Sequence, residues 1–169
     1  MPQRNFAART ATPADFAAVD SLLRTSYTVL LASAYEQAVL EPILPLIARA
    51  NPTLLASGTY YVAESTDGSI VGCGGWTPQR PGTDISEPGI AHIRHFGTHP
   101  DWIRCGVGRA IYDQCEVDAR NAGITLFMCN SSLNGEVFYS ALGFERVRLI
   151  EAPLGNGIVM TGVEMRRRI

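Results

Sequence analysis

The residues best placed for chemistry lie in one stretch, Phe96–Ala110. An apolar run ends at His99-Pro100, a short turn follows, and Gly106-Val107-Gly108 opens an amphipathic segment. Glycines at such a position let a backbone come close to a ligand. The first-turn amides of a helix lack intrahelical acceptors and carry the positive end of its dipole. A phosphate or pyrophosphate suits that arrangement, and Arg104 and Arg109 add charge beside it. A turn of purely structural purpose would show the same spacing, so both readings stand on the residues alone. A dinucleotide fingerprint would need a third glycine where Ile111 stands, and the Gly-Lys-Ser/Thr of a nucleotide-binding P-loop is absent.

Three histidines precede this turn: His92, His95 and His99. Imidazole is the side chain that titrates near neutrality, so each is a candidate proton acceptor. If the strand alternates without interruption, His92 shares a face with Arg94, Phe96 and Thr98, and His95 lies opposite with Ile93 and Gly97. Downstream, Tyr139 is either a core residue beside Phe138 and Leu142 or a phenolic donor. The four cysteines, Cys73, Cys105, Cys115 and Cys129, form no C-x-x-C pair and no metal spacing, and read as reduced thiols. Cys105 sits at the helix start, where a thiol pKa falls, but no Cys/His spacing supports a nucleophile. Trp76 and Trp102 read as packing residues, with Trp76, at a strand end, also a candidate pocket lining. The Arg166-Arg167-Arg168 run reads as a solvated chain end.

The elements that must position these groups are legible in outline. Phe6–Thr10 suits a first strand. Thr12-Pro13-Ala14-Asp15 is a helix start with a capping Thr and Pro at the first position, and Phe16, Val19, Leu22, Leu23 and Tyr27 follow at helical spacing. A second helical stretch, 33–50, contains Pro42 and Pro45 and is expected to kink or split. Strands over 59–64 and 69–77 flank Asp67-Gly68, a hairpin turn signal. A loop over Pro78–Pro88 leads to a strand over 89–99, a helix over 106–122, an apolar strand over 124–129 expected to be covered on both faces, and a helix over 134–142. Strands over 144–150 and 158–165 flank a Pro-Leu-Gly-Asn-Gly turn. This order is α+β with one right-handed parallel βαβ crossover at residues 90–129.

Composition narrows the class. The chain has 169 residues, 14 basic and 16 acidic, for a net charge of -2; that length suits a single domain over 1–169. A near-neutral balance argues against a phosphate-gripping nucleic-acid binder. No stretch approaches the ~20 apolar residues of a membrane span, and the N-terminus lacks a signal-peptide core, so a cytoplasmic protein is expected. Charged residues are only 18%, below the usual quarter or so. A homodimer is the mild expectation from that shortage.

Two segments together carry a resemblance. Arg104-Cys105-Gly106-Val107-Gly108-Arg109-Ala110, opening a helix after a strand, resembles the acyl-CoA-binding motif of the GNAT superfamily of N-acetyltransferases. Asn134 with Phe138-Tyr139-Ser140-Ala141-Leu142-Gly143-Phe144 resembles that family's second signature. The element order extends the likeness over the whole chain. One departure is Ile103, where the family usually carries Gln or Arg. The resemblance implies a mixed, mostly antiparallel sheet of six to seven strands flanked by about four helices. It also implies acetyl-CoA as co-substrate, no metal, and a small-molecule or peptide amine as acceptor. Backbone at Phe96 and Thr98 would pair with the pantetheine arm, the amides of Arg104, Cys105, Gly106, Val107, Gly108 and Arg109 would hold the pyrophosphate, and Asn134 would hydrogen-bond the cofactor. Tyr139 would assist departure of the thiolate. His92 matches a position where some members carry a catalytic Glu and is the candidate base, with Glu64 and Glu36 as weaker ones. The alternatives are a non-catalytic acyl-CoA-binding module of the same fold and a nucleotide-dependent enzyme using the Gly106–Gly108 turn.

Overall fold

The computed structural model describes residues 5–169. In chain order its elements are β1 (Phe6–Thr10), α1 (Phe16–Leu30), α2 (Gln37–Ile47), α3 (Pro52–Leu55), β2 (Tyr60–Ser65), β3 (Ile70–Thr77), β4 (Ile90–Thr98), α4 (Val107–Asn121), β5 (Leu126–Ser132), α5 (Glu136–Ala141), β6 (Glu145–Gly155) and β7 (Ile158–Arg168). The strands form one sheet in the order β1-β2-β3-β4-β5-β7-β6, antiparallel except for β4 beside β5. This is the α+β arrangement expected, with seven strands and the single parallel crossover running through α4. One short helix, α3, was not foreseen.

Helix α1 begins where the sequence signals it. Thr12 and Asp15 form a capping box, and Arg9 of β1 clamps the Asp15 carboxylate through two nitrogens at 2.9 and 2.8 Å. The hydrogen bond from Arg9 is the main reason the Asp15 carboxyl titrates below its ordinary value. Of the two outcomes expected for helix α2, splitting does not occur: it is one element with Pro42 and Pro45 inside it. A proline within a helix costs about 3 kcal/mol. Leu40 and Ile43 are buried from this helix, and each contributes about 1.5–3 kcal/mol, enough to offset much of that cost.

The end of the chain also differs. Asn156 and Gly157 alone make the β6–β7 turn, both at positive φ (52° and 74°), as a two-residue hairpin of mirror-image type requires. The flanking strands are therefore longer than the five-residue turn implied. The backbone of Arg166–Arg168 forms the last rungs of β7 against β5, with the Arg166 and Arg168 side chains exposed and Arg167 tied down. Arg167 donates to the Tyr112 hydroxyl at 2.7 Å and pairs with Glu116 at 3.0 Å.

Two cores sandwich the sheet. On one face Val107, Ile111 and Cys115 of α4 pack with Tyr61, Ala91, Ile93, Phe127 and Cys129. On the other, Val19, Leu22 and Leu23 of α1 pack with Tyr60, Val62 and Cys73. Strand β5 is covered on one face only: Phe127, Cys129 and Ser131 are buried, Met128 is half-buried and Asn130 is exposed. Helix α1 reaches the middle of the sheet and leaves β5 open on its own side.

Strand β4 contains the feature that matters most. Its partners on β3 step from Cys73↔Gly97 to Gly75↔Arg94, so β4 holds one residue more than β3 across this interval. His95, at φ 53°, is at the bulge. A bulge re-aims the side chains beyond it. The uninterrupted alternation expected over 92–98 is thus corrected: Ala91 and Ile93 face α4, and so does Phe96, which packs against that core. Gly97 faces Leu23 and Cys73 on the α1 side. His92 and Arg94 do not share a face with Phe96 and Thr98.

Candidate active site

The parallel pairing of β4 with β5 has only three rungs, Ile90↔Leu126, Ala91↔Phe127 and His92↔Met128. Beyond them β5 continues against β7 as far as Ser132↔Gly162, while β4 continues against β3. The two strands part, and the sheet opens as a wedge whose vertex is the His92–Met128 rung. The His99 amide donates to Val71 of β3, so the Thr98 amide, by alternation, turns toward the wedge. It donates to Ser26 Oγ over a long 3.3 Å, and the Phe96 carbonyl accepts from the Tyr27 hydroxyl at 2.8 Å. A carbonyl oxygen has two lone pairs, so Phe96 retains capacity for a second donor. Tyr27 was read from the sequence only as a helix-face residue of α1, and Ser26 was not singled out.

The glycine turn lies beside the open end. Arg104 at φ 60° and Gly106 at φ 83° both adopt left-handed backbone, the conformation that favours glycine at Gly106. The first intrahelical bond runs from Ala110 to Gly106, leaving the amides of Val107, Gly108 and Arg109 ahead of it. Residues Ile103–Gly106 are exposed and Val107 is buried. Gly108 has a packing role besides its free amide. A Cβ there would stand 2.9 Å from two ring carbons of Phe138, so this glycine admits α5 against the first turn of α4. Arg109 likewise turns to α5, donating to the Ala141 carbonyl at 3.2 Å. Of the two arginines expected beside an anion, Arg104 stays exposed at the turn and the Arg109 side chain is turned to α5. The exposed Cys105 thiol donates to the Ile103 carbonyl.

This contact between α4 and α5 fixes Tyr139. Its ring packs against Phe96, Phe138 and Phe144 at centroid distances of 6.2, 5.0 and 5.4 Å. Burial pushes its phenol well above the ordinary value and pushes the neighbouring Cys129 thiol up to about 12. Tyr139 is therefore a neutral O–H donor. Nearby, Asn134 donates from Nδ2 to the Leu30 carbonyl at 3.2 Å, while its buried Oδ1 has no partner. A buried acceptor without a donor costs roughly 1–3 kcal/mol; a ligand N–H would satisfy it.

His92 is buried on the opposite face of the sheet. Burial first, then the positive charges of Arg80 and Arg94, hold its imidazole below the ordinary 6.5. His95, at the bulge, lies 2.7 Å through Nε2 from the Ile47 carbonyl at the end of α2. That carbonyl can only accept, so Nε2 carries the proton. His99 accepts at Nδ1 from the Asp101 amide. Glu64 is on β2, beyond β3, and pairs with Arg9, and Glu36 is the exposed N-cap of α2. Trp76 packs into the α4-side core. Tyr35, unremarked in the sequence, ties the α1–α2 connection to the far side of the wedge: its hydroxyl donates to the Thr161 carbonyl at 2.7 Å and accepts from the Leu133 amide at 2.8 Å.

Residues 56–146 match the family model described as the acetyltransferase (GNAT) domain. The chain belongs to the GNAT family of acetyltransferases. No curated protein matches it. Among solved structures, a GCN5-related N-acetyltransferase from Rhodopseudomonas palustris superposes with a TM-score of 0.75 at 19% identity, covering 100% of this chain and 99% of that one. The PaiA N-acetyltransferase from Thermoplasma acidophilum, solved with coenzyme A, gives 0.71 at 14% identity, covering 98% and 99%. The ribosomal-protein-S18-alanine N-acetyltransferase from Escherichia coli gives 0.65 at 12%, covering 98% and 94%. At such identities the likeness is one of fold. Among the described residues of this GNAT domain, no cluster of three or more His, Cys, Asp or Glu could hold a metal. No helix among them is long and apolar enough to cross a membrane.

Proposed function

We propose that this GNAT domain, acting as a single unit, is an N-acetyltransferase that passes the acetyl group of acetyl-CoA directly to an amine. The observation that carries the reading is the wedge itself, with a proton donor and a proton acceptor at its vertex. Tyr139 reaches that point from the α4 face beside Cys129, and His92 occupies the last rung, His92↔Met128, from the α1 face. A donor substrate entering from one face can then meet an acceptor entering from the other.

Acetyl-CoA, when bound, supplies an acetyl group activated as a thioester. The exposed turn at 104–106 and the first-turn amides of α4 would hold its pyrophosphate. The orphaned Asn134 Oδ1 would accept an amide N–H of its pantetheine arm, and the wedge edge at Phe96–Thr98 would pair with that arm as with an added strand. The Thr98 amide would first give up its long bond to Ser26. His92, neutral at pH 7, takes the proton of the attacking amine, and Tyr139 gives a hydrogen bond to the departing sulfur as the N–C bond forms and the C–S bond breaks. Holding the two reactants in line supplies much of the rate.

The test is thiol release from acetyl-CoA with a broad panel of amines. Turnover with any of them supports the proposal. Tight acetyl-CoA binding with no thiol release from any amine would mean a non-catalytic acyl-CoA module instead.

A further inference from the structure

We propose that the acceptor is a small amine that also carries a carboxylate, and that the Arg94 guanidinium binds that carboxylate. This deepens, and rests on, the acetyl-transfer reading above.

The argument starts from an unbalanced charge. Most arginines of the chain have an acidic partner: Arg9 with Asp15, Arg80 with Glu87, Arg167 with Glu116. Among the described residues, Arg49, Arg94, Arg104, Arg109 and Arg168 have none. All but Arg94 are exposed, where water compensates the charge. Arg94 is half-buried, and its side-chain hydrogen bond is the single one from Nη1 to Thr77 Oγ1 at 2.9 Å. A guanidinium carries five N–H donors in a rigid fork. Withdrawing it from water without a counter-charge is costly, and charges so placed are ordinarily paired. Burial accordingly disfavours its charged form.

The position turns this imbalance into a binding site. Arg94 lies ahead of the bulge, two residues from His92 on the same strand and the same face. Thr77, which holds the guanidinium, is also the β3 register partner of His92. The anion-binding fork and the candidate base are thus neighbours on the acceptor face. Two strand residues span about 6–7 Å, and each side chain reaches its partner across a further hydrogen-bond length, so the amine and the carboxylate of one small acceptor can engage both at once. The neighbouring charges leave room for one negative charge. Arg80 is already neutralised by Glu87 at 3.1 Å, and His92 is neutral at pH 7. One unpaired guanidinium matches a carboxylate, which it can grip through two parallel hydrogen bonds; a phosphate dianion would call for a second cation.

The experiment compares acids with their amides. Free protein amino acids, the corresponding α-carboxamides, phenethylamine, spermidine and glucosamine 6-phosphate are offered with acetyl-CoA, and thiol release is followed. The expected result is turnover with one or more free amino acids and a drop of at least tenfold in kcat/KM for the matching amide. Arg94→Gln should raise KM for the acid at least tenfold and erase the preference over the amide, with the KM for acetyl-CoA little changed. Arg94→Lys, which keeps the charge but loses the fork, should fall between. Equal use of acid and amide by the wild-type protein, preference for a neutral amine, the polyamine or the sugar phosphate, or a preference surviving in Arg94→Gln would each overturn the proposal. A second readout needs no turnover: N-acetyl amino acids and their amides are titrated calorimetrically into the protein with coenzyme A present. Binding of the acid that Arg94→Gln abolishes supports the carboxylate site even if no amine is acetylated, in which case the acetyl-transfer reading alone fails. No discrimination between acid and amide in the titration sinks the carboxylate site whatever the turnover.

Discussion

His92 and Tyr139 approach the vertex of the wedge from opposite faces of the sheet. His92 pairs with Met128 across the last parallel rung, and Tyr139 shares the α4-side core with Cys129, the next residue of β5. A proton donor and a proton acceptor so arranged cannot neutralise one another, yet both border the point where β4 and β5 separate.

The first consequence concerns Tyr139. Tyr139→Phe keeps the ring that packs against Phe96, Phe138 and Phe144 and removes only the hydroxyl, so stability should change by about 1 kcal/mol or less. Turnover should fall roughly 10²-fold, the scale of a positioned acid, with acetyl-CoA affinity preserved. Steady-state kinetics beside a calorimetric titration would check this. An unchanged kcat would remove Tyr139 from the chemistry.

How much of this was legible in the sequence depends on the range of the interaction. Local signals fared best: the helix start at Thr12-Pro13, the Asp67-Gly68 hairpin and the strand–turn–helix around Gly106 all fold as read, because each is decided by neighbours within a few residues. The likeness of the Gly106–Gly108 and Phe138–Phe144 segments to one family pointed to the overall fold. The bulge at His95 was invisible, since it is set by pairing with β3, and it overturned the facing of His92 and Arg94 relative to Phe96 and Thr98. The unbroken α2 shows the same limit: Leu40 and Ile43 are buried by tertiary contacts that local proline rules do not see. The packing of Gly108 and of the Arg109 side chain against α5, a partner about 30 residues away, was equally invisible.

A second consequence follows from the environment of His92. Its pKa is lowered, chiefly by burial, so its neutral form persists to lower pH than that of a free imidazole. The kcat/KM profile should therefore be flat near pH 7 and decline on the acid side through a limb centred below 6.5. In His92→Gln that limb should disappear and the plateau should drop by roughly 10²-fold. An acid limb that survives in His92→Gln would show that another group, or the amine itself, controls it.

Stability should weaken with acid in two separate windows. His95 and His92 have folded-state pKa values below their ordinary 6.5 because burial resists the charged form. As pH falls through 6.5 the unfolded chain takes up protons that the folded one refuses, so stability is lost from there downward. Asp15 has a folded-state pKa below 3.8, held there first by the Arg9 hydrogen bond. Its contribution is complete above 3.8 and disappears as pH falls through the lower folded value. Urea unfolding from pH 8 to pH 3 would resolve both. His95→Asn, whose side chain tolerates positive φ, should flatten the upper window while costing about 1–3 kcal/mol through the unpaired Ile47 carbonyl. Asp15→Asn should lower stability at neutral pH and remove the lower window. Stability that does not change between pH 7 and pH 5 would contradict the burial of both imidazoles as neutral groups.

The last consequence tests how the helix start positions the tyrosine. Gly108 lies in the first turn of α4, and Phe138, the ring that rests on it, immediately precedes Tyr139 in α5. Replacing Gly108 with Ala favours the helix by up to about 1 kcal/mol. The added methyl also meets Phe138 at 2.9 Å, a contact that must be relieved by moving α5 a few tenths of an ångström. These effects oppose one another in stability and not in geometry. Gly108→Ala should thus leave the thermal midpoint nearly unchanged and lower kcat severalfold, since a small misplacement of a reacting group is expensive. Adding Phe138→Leu, which trims the offending ring, should restore part of the lost rate even though it removes buried apolar surface. A double variant slower than Gly108→Ala alone would show that α5 is held by other contacts and that Gly108 serves only the backbone of α4.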